Sequence, residues 1–174
     1  MTFAEQWSSA IGTSLSLIAV SSIIALVGGV VSAWAVSGWQ QRRAGGEAES
    51  IGLAIWTSAM LVSVALPLIL HAAAWEATAG KFGWLTQMMT GGNLFWVGWI
   101  HGCHGIAIVG LATAWSTTSI DPATIRHAHL DYQPSAVWWR VRLPLAWPWV
   151  AASVLLVMVL AATEMSVVNL HSVR

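Results

Sequence analysis

The chain has 174 residues, 57% hydrophobic and only 8% charged, with a mean hydropathy of +0.70; soluble domains carry about 25% charged residues, so the composition points to a membrane protein. Seven basic and seven acidic groups cancel, so no basic nucleic-acid-binding surface is implied. Cys103 is the single cysteine, which excludes an internal disulfide and any multi-cysteine metal site.

Four apolar runs reach the roughly 20 residues that a helix needs to cross a bilayer. The first covers about 11–38 and is uncharged. No basic stretch precedes it, unlike a cleaved signal peptide, so it reads as a retained span. Gly28 and Gly29 sit in its middle, where small residues let helix backbones approach in lipid. A polar connection over 40–49 leads to the second span, about 51–75, in which Pro67 is expected to kink the helix. The segment 76–92 is mixed, with Lys81 and several glycines, and reads as an interfacial turn or short helix. The third span covers about 93–115, a loop fills about 117–144, and the fourth span covers about 145–170. The thirteen tryptophans suit membrane–water interfaces, where one end of the ring is dry and the N–H is wet. The expected fold is an all-α, multi-pass membrane protein of about four transmembrane helices in a single domain over 1–174.

Arg42, Arg43, Arg126, Arg140 and Arg142 fall in the first and third loops, against Lys81 and Arg174 on the other side. The positive-inside rule places those two loops in the cytoplasm and both termini outside.

The last third carries the most information. A polar stretch with Asp121, Arg126, His127, His129 and Asp131 gives way to Trp138-Trp139-Arg140-Val141-Arg142, then Leu143-Pro144 and an apolar run. It reads as a short helix on the membrane surface, joined at Leu143-Pro144 to a helix that enters the bilayer; Pro suits a first helical turn.

Val141-Arg142-Leu143-Pro144 resembles the end of the cytoplasmic signature of ABC-importer permeases of the MetI-like type: Glu-Ala-Ala, three residues, Gly, nine residues, Ile or Val, one residue, Leu-Pro. On that spacing Asp131 takes the glycine position and Ile125-Arg126-His127 the Glu-Ala-Ala position. The second half of the motif therefore matches and the first does not. Pro134 falls where the ferric-iron and thiamine branch often has Pro, Pro67 in Ala65-Leu66-Pro67-Leu68 is similar to the family's second span, and Ala162-Thr163-Glu164-Met165 resembles that branch's Gly-Glu-Leu segment.

The resemblance implies a permease bundle at the cell (inner) membrane, working by alternating access, with ferric iron or thiamine as substrate. Its partners would be a separate ABC ATPase, an extracytoplasmic binding protein, a second permease domain or copy, and membrane lipid. ATPase coupling would fall to Asp131, Pro134, Trp138, Trp139, Arg140, Val141, Arg142, Leu143 and Pro144, and the translocation pathway to Glu164 and Pro67. Arg140 and Arg142 could pair with acidic groups or anionic headgroups. The departure at Asp131 matters, because glycine permits a turn conformation that Asp adopts only at some cost. The family usually has a further span after the Glu-containing helix, so the domain is expected to be incomplete at its C-terminus. No cofactor is implied.

The residues leave two rival readings open. His101, Cys103 and His104 lie inside the third span, where ionisable groups face a cavity or a partner; with His71 they could bind a soft metal or haem. A degenerate permease relative that only scaffolds is the other. No phosphate-binding glycine loop and no recognisable catalytic spacing occurs, so the chain is not expected to be an enzyme.

Overall fold

The computed structural model describes residues 3–44, 51–79 and 94–163, and everything regular in them is helical. The order is α1 (Phe3–Ala44), α2 (Ile51–Ala65), α3 (Leu68–Ala79), α4 (Leu94–Thr118), α5 (Pro122–Asp131), α6 (Pro134–Val137), a π turn (Trp138–Arg142) and α7 (Leu143–Thr163). Helices satisfy their own backbone donors and acceptors, which is what an apolar solvent demands. Three segments are long and apolar enough to cross a bilayer: Ile11–Trp39, Phe95–Thr118 and Pro134–Thr163.

The central contact is α1 on α4, and glycines make it possible. A Cβ on Gly29 would lie 2.7 Å from Val109 Cβ and 2.9 Å from the Gly110 amide nitrogen. Equivalent atoms on Gly98 and Gly102 would strike Val20 and Ile24. With no side chain at these positions the two backbones approach closely, and dispersion rather than hydrophobic transfer holds them together. The pairs Val20–Gly98, Ile24–Gly102, Gly28–Ile106 and Gly29–Val109 rise together in number, so α1 and α4 run parallel. Val157 against Gly105 and Trp149 against Trp115 show that α7 runs antiparallel to both. Ala25, Val30, Ala33, Val109, Ala114, Trp138, Val150 and Val157 form the buried core between the three.

Parallel α1 and α4 require the intervening chain to return from one end of the bundle to the other, and α2 with α3 does so. Gly52 meets Trp39, and Trp56 lies near Gly110. Further on, Ala72 packs with Val97 and Ile100, and Trp75 meets Trp99 edge-on at 6.2 Å. The path is not a kinked rod, as Pro67 alone suggests, because α2 and α3 meet at 103°. The bend makes the pair an elbow.

Tryptophans gather at both ends. Trp75, Trp96 and Trp99 mark one, joined there by Phe95. Trp34, Trp115, Trp139, Trp147 and Trp149, all exposed, mark the other. Along α4, Trp96 and Trp115 are about 28 Å apart at 1.5 Å rise per residue, close to the roughly 30 Å hydrocarbon thickness of a bilayer. Between the belts, exposed Ile23, Val27, Leu155 and Val159 give the bundle an apolar outer surface.

Candidate functional site

The end of the bundle where α1 and α4 finish and α7 begins carries Arg126, Arg140 and Arg142 together with the short helix α5. Asp121 starts α5: its carboxylate Oδ1 accepts from the Ala123 amide at 3.0 Å, and Pro122 fills the first helical position, where its missing N–H costs nothing. Ile125 is buried and anchors the helix, while Arg126, His127, His129 and Leu130 are exposed. Leu130, at 81% exposure, is a large apolar side chain standing open on α5.

α5 ends at Asp131, and the corner that follows is built from Tyr132 (φ −132°, ψ 147°) and Gln133 (φ −65°, ψ 155°). Both are extended, the conformation that a residue before proline favours, and Pro134 then opens α6. No left-handed residue occurs at Asp131, Tyr132 or Gln133. The expectation that Asp131 carries a conformational cost in place of glycine is therefore corrected: this corner does not use the geometry that needs glycine. The Arg140 guanidinium sits over the Tyr132 ring, 5.7 Å from its centroid, a cation–π contact that braces the corner.

From Pro134 to Thr163 the helical path is unbroken, through α6, the π turn and α7. The joint expected at Leu143-Pro144 is thus not a joint; the chain bends at Tyr132-Gln133, and Pro144 lies inside the helix. The π turn explains how. Pro144 has no N–H for the Arg140 carbonyl, and its ring would press on that carbonyl in a regular α-helix. The wider turn just before it, closed by Leu143 N–H donating to the Trp138 carbonyl, relieves the clash. It also keeps Trp138 and Arg142 in line with Ala146 and Val150, the buried stripe of α7.

That stripe divides the residues expected to couple. Trp138 is 1% exposed and belongs to the bundle core. Arg142 is also buried. Trp139, against Trp34 at 6.0 Å, is exposed, as are Asp131, Pro134, Arg140 and Pro144; Val141 and Leu143 are half-buried.

At the elbow the structure assembles a feature that sequence reasoning missed. In a continuous helix residue 67 would donate to the Ser63 carbonyl, and Pro67 cannot. His71 supplies the donor instead, its Nε2–H bonding Ser63 O at 3.1 Å. The Pro67 carbonyl in turn accepts from the Leu70 and His71 amides. His104 of α4 packs edge-on against His71, ring centroids 5.1 Å apart. The signal was present as a serine, a proline and a histidine at successive steps of four, but it needs the bend to be seen.

His101, Cys103 and His104 do not converge. At 100° per residue, Cys103 lies about 160° round the helix from His101, and among the described residues no three His, Cys, Asp or Glu side chains meet at a metal-sized site. Glu164 lies outside the described residues. Comparison of the chain with family models, with curated proteins and with solved structures gives no match, so a functional reading rests on the geometry of the basic end and on the Val141-to-Pro144 resemblance.

Proposed function

We propose that this chain is the membrane-embedded permease subunit of an ATP-driven ABC importer, with its basic end in the cytoplasm and α5 as the element that docks into a separate ATPase. The observation that carries this reading is α5 itself, a capped, mostly exposed helix outside the bundle core. A two-residue corner joins it to a helix that runs unbroken from Pro134 to Thr163. A push on α5 would pass through the Arg140–Tyr132 brace into the last helix. The residues offered to a partner are Leu130, Arg126 and His127 on α5, with Asp131, Trp139 and Arg140 beside the corner. The elbow at Pro67 is the element we assign to the substrate pathway, because broken helices in transporters place irregular backbone where it lines a cavity.

The test is a pull-down from mild detergent, comparing wild type with Leu130→Asp and identifying retained proteins by mass spectrometry. Leu130 has almost no intramolecular packing to lose, so folding is preserved. An ABC ATPase recovered with wild type and lost with Leu130→Asp is the expected result. A well-folded wild-type preparation that retains no ATPase would sink the proposal.

A further inference from the structure

While Arg126 and Arg140 are exposed, Arg142 is buried, at 8% exposure. Its Nε is enclosed without a hydrogen-bond partner, and no hydrogen bond or ion pair from its guanidinium reaches any described residue. Asp121 and Asp131, the described acidic residues at this end, are both exposed. A largely buried guanidinium without a counter-charge is unfavourable, so Arg142 calls for an anion from outside the described residues.

Its position says which. Arg142 lies in the first part of the apolar segment Pro134–Thr163, among the exposed Trp34, Trp115, Trp139, Trp147 and Trp149, and such a belt marks the headgroup level of a bilayer. The anion most abundant at that level is the lipid phosphate. A guanidinium fork matches phosphate oxygens bidentately, and its stem can lie along the Trp138–Ala146 stripe while its outer nitrogens reach the surface. Arg140, exposed and turned to Tyr132, is not part of this arrangement.

We propose that Arg142 is a binding site for one phosphate oxyanion, supplied by the headgroup of an anionic membrane lipid. This assignment does not depend on an ATPase partner.

The test is native mass spectrometry of the full chain in detergent, with added phosphatidylglycerol or phosphatidylcholine. Wild type is expected to retain phosphatidylglycerol about tenfold better, a ratio equal to 1.4 kcal/mol. Arg142→Gln should abolish the preference and Arg140→Gln should keep it. If Arg142→Gln does not fold, Arg142→Lys serves: it keeps the charge, loses the fork and should reduce the preference severalfold. Three results would overturn the proposal. One is an unchanged preference in the Arg142 variant that folds. Another is displacement of the lipid by millimolar inorganic phosphate, which would make the site one for a soluble anion. The third is a preference that emerges only in Glu47→Gln with Glu49→Gln, which would show that the chain's own carboxylates occupy Arg142.

Discussion

His71 shows how one side chain can stand in for a missing backbone donor. Pro67 leaves the Ser63 carbonyl without its helical partner, and the 3.1 Å bond from His71 Nε2 replaces it. Removing that donor from a half-buried apolar setting costs about 1–3 kcal/mol, so His71→Ala should lower thermal stability in detergent by that amount. In a Pro67→Ala background residue 67 regains an N–H, and the same His71→Ala change should cost much less. A double-mutant cycle read by thermal unfolding checks this; equal penalties in the two backgrounds would show that His71 acts through some other contact. Pro67 was legible in the sequence as a disturbance. Its partner was not, because the His71–Ser63 bond exists only once α3 has folded back against the end of α2.

The last helix illustrates the same limit for a whole element. Pro134 and Pro144 each look like the first residue of a helix, and the Leu143-Pro144 resemblance favours the second. Tertiary packing decides otherwise: Trp138 needs the core, so the helix begins at Pro134 and a π turn absorbs Pro144. Trp138→Ala should therefore destabilise the fold by about 3–5 kcal/mol, the usual cost of emptying a buried aromatic site. Trp139→Ala, next in sequence but exposed, should cost about 1 kcal/mol or less. Chemical or thermal unfolding of the two variants separates them, and similar losses for both would mean that Trp138 is not seated as described. Hydropathy made the long helices readable because their lengths are set by the solvent. The corner at Tyr132-Gln133 was hidden because an extended dipeptide before proline carries no distinctive side chain.

For the molecule as a whole, the basic residues make a sidedness prediction. With Cys103 replaced by Ser, a single cysteine introduced at Leu130 on α5 should react with a membrane-impermeant maleimide only when the cytoplasmic face is open to the reagent. Labelling of intact cells would reverse the orientation and remove α5 from reach of any cytoplasmic ATPase. Composition and periodic hydropathy were enough to read an all-helical membrane protein. The parallel course of α1 and α4 follows from the alternation of the spans, but their pairing was not readable, since Gly28 and Gly29 announce a close neighbour without saying which.

That parallel seam also dictates an order of events during synthesis. The glycine face of α1 can find its mate only after residues 98–110 have left the ribosome, so the seam between α1 and α4 forms after the elbow between them has been made. The protein is therefore closed late, by its third long segment, and α7 is laid into a groove that does not exist until α4 has arrived.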